Sequence, residues 1–182
     1  MQLAELSDLK SFLDIATTSH DDLLTMILNH VSKRIETYLN RELYKQSRSL
    51  YFDAGRKVFS LPAYPIDLTA TLTVTIDDVS KTINDDFFVW ENKGIIELSY
   101  VPSYVEPKQI YITWTGGYAT TSALPYDIQM ATIMQCAFVF RRRKDIGLAS
   151  ISMPDGSVSV QAPTKLLQEV EQVLKSYRRR PM

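Results

Sequence analysis

Apolar residues follow two rhythms along this 182-residue chain, helical at both ends and alternating in the middle. Leu6, Leu9, Phe12 and Leu13 share one face of a short helix, with Ser7 as the expected N-cap. Thr17-Thr18-Ser19 interrupts it. Ser19 and Asp22 form a variant of the capping box, and Asp21 and Asp22 place negative charge at a second helix start. Leu23, Ile27, Val31, Ile35 and Leu39 then recur every four residues, widened by Leu24 and Leu28. This spacing predicts an amphipathic helix ending near Asn40.

Period two takes over next. Ser49 to Phe52 and Lys57 to Leu61 read as strands around an expected hairpin turn, Asp53-Ala54-Gly55. Thr71 to Ile76 alternates strictly, with threonines on one face and leucine, valine and isoleucine on the other. Asp77-Asp78 is a turn candidate. Phe87 to Trp90 and Ile95 to Leu98 flank a second hairpin signal, Glu91-Asn92-Lys93-Gly94. Gln109 to Thr115 closes a set of about six strands, an antiparallel sheet or small sandwich.

A third helix is expected from Pro125, which suits a first turn because its missing N–H would be unpaired there. Apolar residues surround most of this helix. Gln129, Thr132 and Gln135 interrupt along one line, the expected least-buried line, with Met134, Ala137 and Phe138 as core. Such a helix is either central or part of a subunit interface. Arg141, Arg142, Arg143 and Lys144 follow at its C-terminal end, where the helix dipole favours cations. Residues 145–162 turn serine- and glycine-rich, with a Pro154-Asp155-Gly156 turn and a weak Val158/Val160 alternation. They predict a mobile loop or a short hairpin that orders on assembly. Leu166, Leu167, Val170, Val173, Leu174 and Tyr177 mark a last amphipathic helix before Arg178-Arg179-Arg180. The class is α+β: a helix pair, a central antiparallel sheet, a long apolar helix and a C-terminal helix. One domain over residues 1–182 is the expectation at this length.

Composition adds exclusions. The chain is 45% hydrophobic and 23% charged with a formal net charge of -1, which argues against a nucleic-acid cloak but permits local basic patches. Cys136 is the single cysteine, so no intrachain disulfide forms; a reducing setting fits. The N-terminus has an early acid and no basic stretch, unlike a secretory signal, and no apolar run reaches the roughly 20 residues that span a bilayer.

Catalytic patterns are missing. His20 and His30 lack the spacing of metal ligands. Cys136 reads as a buried small hydrophobe, not a nucleophile. Gly116-Gly117 lacks the lysine and hydroxyl of a phosphate-binding loop and reads as a turn. In Asp77-Asp78 and Asp85-Asp86, adjacent strand residues point apart, which does not suit paired catalytic carboxylates. The chemistry left is cationic. Arg141, Arg142, Arg143, Lys144, Arg178, Arg179 and Arg180 suit salt-dependent phosphate contacts, and equally suit solvated helix ends or ion pairs to an acidic partner.

Six motifs, in order, resemble the head–tail connector family of tailed bacteriophages. They are Leu6 to Leu13; Asp21-Asp22-Leu23-Leu24; Ile35-Glu36-Thr37-Tyr38-Leu39-Asn40-Arg41; Leu61-Pro62-Ala63-Tyr64-Pro65; Thr115-Gly116-Gly117-Tyr118; and Leu124-Pro125-Tyr126-Asp127 followed by the arginines. The resemblance implies a structural virion protein at the head–tail junction, assembled in the host cytoplasm, without enzyme activity or cofactor. It implies a ring, dodecameric on the portal protein, that extends the DNA channel and provides the platform for a stopper or tail-completion protein. Packaged DNA would pass without sequence-specific binding, and no membrane is involved. Two rivals remain: a stand-alone nucleic-acid-binding module using the arginine clusters, disfavoured by net charge, and a hydrolase, disfavoured by the residue inventory.

Overall fold

The computed structural model describes residues 2–103, 110–143, 150–153, 156–159 and 165–179. They fall into two compact units. Asn40–Thr120 and Arg179–Met182 form a β unit; Met1–Leu39 and Thr121–Arg178 form a helical unit.

The β unit contains β1 (Gln46–Phe52), β2 (Val58–Ser60), β3 (Thr73–Ile76), β4 (Val79–Ser80), β5 (Phe87–Trp90), β6 (Ile95–Leu98) and β7 (Ile110–Gly116). They make two antiparallel sheets, ordered β1-β7-β3-β4 and β2-β6-β5. Alternation does the work the sequence promised. On β7, Ile110, Ile112 and Trp114 are buried, while Tyr111, Thr113 and Thr115 take the other face. Val74, Ile76, Phe59, Phe87, Ile96 and Leu98 join the same core from both sheets.

Both short turns behave as expected. Asp77 and Asp78 have φ of 52° and 62° and link the β3–β4 hairpin; two successive positive φ values match the twist of paired strands. Glu91–Lys93 form one 3-10 turn between β5 and β6, closed by Gly94 at φ 63°. The Asp53-Ala54-Gly55 turn departs from expectation. It makes no hairpin, because β1 pairs with β7 and β2 with β6. The chain changes sheet there, and the Gly55 N–H donates to the Pro102 carbonyl at 3.1 Å. Local turn chemistry cannot distinguish a hairpin from a sheet-to-sheet crossing; long-range pairing decides.

Three of the six motifs converge within the β unit. Arg41 is only 6% exposed. Its guanidinium lies 3.5 Å from the Tyr64 ring centroid and 5.5 Å from that of Tyr118, and Nη2 donates to the Tyr64 carbonyl. Trp114 Nε1 donates to the Ala63 carbonyl at 2.9 Å. Gly117 has φ 105°, and a Cβ there would meet the Tyr44 and Leu43 backbone at 2.6–2.7 Å. Its N–H donates to Pro65, and that of Tyr118 to Leu43. The Leu-Pro-Ala-Tyr-Pro and Thr-Gly-Gly-Tyr stretches are therefore two sides of one close-packed junction, with Arg41 between tyrosines.

The helical unit contains α1 (Leu6–Phe12), α2 (Asp21–Leu39), α3 (Tyr126–Arg142) and α4 (Gln168–Lys175), with a separate antiparallel ladder of β8 (Ser150–Met153) and β9 (Gly156–Ser159). The stripe on α2 buries Leu24, Ile27, Leu28, Val31, Ile35 and Leu39. Ser32 is buried among them because its Oγ accepts the Leu3 N–H at 3.0 Å. Lys10 reaches Asp21 at 2.7 Å, joining α1 to the first turn of α2. Two details of α1 differ from expectation. Glu5, not Ser7, occupies the N-cap position, and Phe12 is exposed, leaving Leu9 as the buried anchor.

The polar line of α3 is inverted relative to expectation. Thr132 and Gln135 are fully buried, while Gln129, Met134 and Phe138 are half-buried; Ala137 is core as expected. The physical reason is that both buried polar groups are satisfied. The Thr132 hydroxyl donates back to the Ile128 carbonyl at 2.7 Å. Gln135 donates to the Lys165 carbonyl at 3.2 Å and accepts the Leu167 N–H at 2.9 Å. It thus pins the entry to α4. The least covered line runs instead along Tyr126, Met130, Met134, Phe138 and Arg141.

Candidate partner-contact surfaces

The expected cationic contacts divide into fold-bound and available groups. At the end of α3, Arg141 is exposed. Arg142 lies 5.8 Å from the Phe138 ring. Arg143 is folded back, 3.9 Å over the Phe140 ring, and donates to the Phe140 carbonyl. Arg178 is exposed beyond α4, 5.4 Å from the Tyr38 ring. Arg179, in the β unit, donates through Nε to Ser60 Oγ at 2.9 Å and through Nη2 to the Ser60 carbonyl at 2.8 Å. Desolvation by burial lowers its pKa from the ordinary arginine value. Lys144 and Arg180 lie outside the described residues.

The Arg141 and Arg178 groups do not form one patch. Gln135 holds the start of α4, and Tyr177 Oη donates to Asp127 Oδ2 at 3.1 Å. α4 thus runs back along α3 to its N-terminal turn, where Arg178 follows. Arg141 is fourteen residues beyond Asp127, on the order of 20 Å along the helix.

Two further surfaces carry no charge. One is the half-covered stretch Met130, Met134 and Phe138 of α3, the helix whose all-round apolarity already suggested a subunit interface. The other is the outward face of the β1-β7-β3-β4 sheet. Its register sets Ser47, Ser49 and Tyr51 beside Tyr111, Thr113 and Thr115, then Thr73 and Thr75, then Ser80. Each of these residues carries a hydroxyl and none a charge. Ser49 and Thr113 hydroxyls are 2.9 Å apart, and the Tyr51 and Tyr111 rings pack at 4.5 Å. Hydrogen bonding to Ser49 and then Thr113 lowers the Tyr111 pKa from the ordinary phenol value. The threonine alternation was visible in sequence, but the nine-residue face needed the register.

Catalytic readings gain nothing from the geometry. Cys136 is buried, and desolvation pushes its thiol up to about 12, away from the thiolate. His20 packs edge-on against Phe140 at 5.5 Å. No group of three His, Cys, Asp or Glu side chains suited to a metal occurs among the described residues. No described helix is long and apolar enough to cross a membrane.

The described residues thus combine a four-helix unit with a two-sheet β unit. The family model for head completion proteins matches residues 2–180, and the chain belongs to that family. The family is structural and not enzymatic. No curated protein matches significantly. Among solved structures, a chain from "Neck of empty GTA particle computed with C6 symmetry" is 19% identical. It aligns over 99% of this chain and 91% of its own, with a TM-score of 0.66. A chain from "Neck of native GTA particle computed with C12 symmetry" is 18% identical over 97% and 89%, with a TM-score of 0.61. A third, from "Virion of native gene transfer agent (GTA) particle", is 19% identical over 99% and 91%, with a TM-score of 0.64.

Proposed function

We propose that this protein forms a ring beneath the portal at the head–tail junction, extends the DNA channel and presents a platform to the stopper or tail-completion protein. The observation that carries the reading is family membership across residues 2–180, joined to a fold shared over nearly the full chain with proteins of rotationally symmetric necks. The half-covered line Met130, Met134 and Phe138 supports it, because an apolar helix face left half-open favours a protein neighbour. Both units serve one connector subunit; of the 145–162 segment, residues 145–149, 154–155 and 160–162 lie outside the described residues. The exposed Arg141 and Arg178 are the cations offered to partners or to the DNA channel; Arg143 and Arg179 serve the fold. DNA passes without sequence-specific contact.

Gel filtration with native mass spectrometry, with and without purified portal, tests this. A ring, or a stoichiometric complex with portal, is the expected result. A monomer that ignores portal and binds DNA tightly would instead favour the nucleic-acid module.

A further inference from the structure

The β1-β7-β3-β4 sheet has unequal edges. β4 is a two-residue strand. β1 is seven residues long and pairs continuously with β7, without bulge or proline. Among the described residues β1 has no strand on its other side. None of its residues is fully buried; Tyr51 is 61% and Leu50 39% exposed. A long, regular edge carrying apolar residues is a template for another strand.

The chain also contains a ladder that lacks a third strand. β8 and β9 pair only with each other among the described residues. A two-stranded hairpin by itself is marginal in water. Its register places Ser150 opposite Ser159 and Ser152 opposite Ser157 on one face, and Ile151 opposite Val158 and Met153 opposite Gly156 on the other. β1 has a similar division in its C-terminal half, Gln46 and Arg48 preceding Leu50 and Phe52 on the second face. Ser47, Ser49 and Tyr51 lie on the hydroxyl face of the sheet, and Leu50 and Phe52 on the face of Ile112 and Ile110.

We infer that the β8–β9 hairpin of one copy adds to the β1 edge of a second copy. The period of two makes the faces meet like with like. Serines of the hairpin extend the hydroxyl face, and Ile151, Val158 and Met153 extend the apolar one beside Leu50. Backbone N–H and C=O groups along β1 gain partners, and the hairpin gains its third strand. The occupant is a second copy because a closed ring is built from a heterologous contact, which needs two different, complementary surfaces on every subunit. An open edge and an unpartnered hairpin are such a pair. The inference rests on the ring reading above and specifies one of its contacts.

Disulfide trapping tests it. Ser49→Cys in one preparation is mixed with Ser150→Cys, Ser152→Cys, Ser157→Cys or Ser159→Cys in another, with portal present, and oxidised mildly. Buried Cys136 gives the background in the wild-type chain. A disulfide-linked dimer in at least one mixture, absent from each variant alone, is expected. In the unmodified protein, amides of residues 47–51 and 150–159 should slow in hydrogen exchange at least tenfold on assembly. Absence of any mixed dimer, or a cross-link only within one chain in the Ser49→Cys/Ser152→Cys double variant, overturns the inference. The mass of the same samples separates the two readings. Rings without mixed dimers remove this contact alone; no assembly under any condition removes the ring as well.

Discussion

At the residue scale, single side chains that satisfy buried backbone groups carry much of the specificity. Gln135 is 1% exposed and serves two backbone groups ahead of α4. Gln135→Ala should cost about 1–3 kcal/mol, because it removes two part-buried hydrogen bonds worth about 0.5–1.5 kcal/mol each. Urea denaturation measures this; a loss under about 0.5 kcal/mol, the size of an ordinary surface change, would contradict it. Asp67 gives a pH signature. Lys45 at 2.7 Å, then the Thr69 hydroxyl and N–H, hold its carboxyl well below the usual range. A depressed folded pKa contributes stability above the unfolded value, near 4, and that stability is lost as pH falls below it. Wild type should therefore weaken on acidification through pH 4 more steeply than Asp67→Asn, in melting curves across pH 2–6. Parallel curves would remove Asp67 as a contributor. The two tryptophans offer a direct check of burial: Trp114 is fully buried and Trp90 is 49% exposed. Iodide should quench Trp114→Phe strongly and Trp90→Phe weakly.

At the element scale, the Gly116-Gly117 turn holds the junction of β7 with the Leu61–Pro65 stretch. Gly117→Ala combines a left-handed φ with backbone contact on Tyr44 and should lose at least about 1–3 kcal/mol from strain alone. Unchanged thermal stability would contradict the close approach. The helices and most strands were legible because one buried face imposes a period: α2 every four residues, β3 and β7 every two. Pairing partners were not legible. Nothing local in Asp53-Ala54-Gly55 says that β1 and β2 belong to different sheets. Burial of Thr132 and Gln135 departs from expectation for a related reason: polarity predicts exposure only while no partner is at hand, and their partners are a carbonyl four residues back and a segment thirty residues on. Of the cationic candidates, only position in the chain was legible. Folding-back of Arg143 and capture of Arg179 by Ser60 depend on where the fold brings Phe140 and Ser60. Phe138 illustrates the consequence. Half-buried, it should cost only about 1–2 kcal/mol on truncation to alanine, less than the 3–5 kcal/mol of a core phenylalanine. Its larger effect should fall on assembly, seen as loss of ring mass at unchanged fold.

At the scale of the whole molecule, this head completion protein works as a structural subunit through its surfaces. Cys136 should resist thiol reagents in the folded state and react once urea unfolds the chain, since burial keeps it protonated. Reproducible turnover of nucleotides, esters or DNA, abolished by one Asp or Ser substitution, would contradict the account. The most direct measurement is single-particle imaging of the full chain mixed with its portal. A closed ring of copies, coaxial with the portal and open at its centre for DNA, is the predicted result. Portal particles without added density, beside monomers bound along DNA, would contradict it.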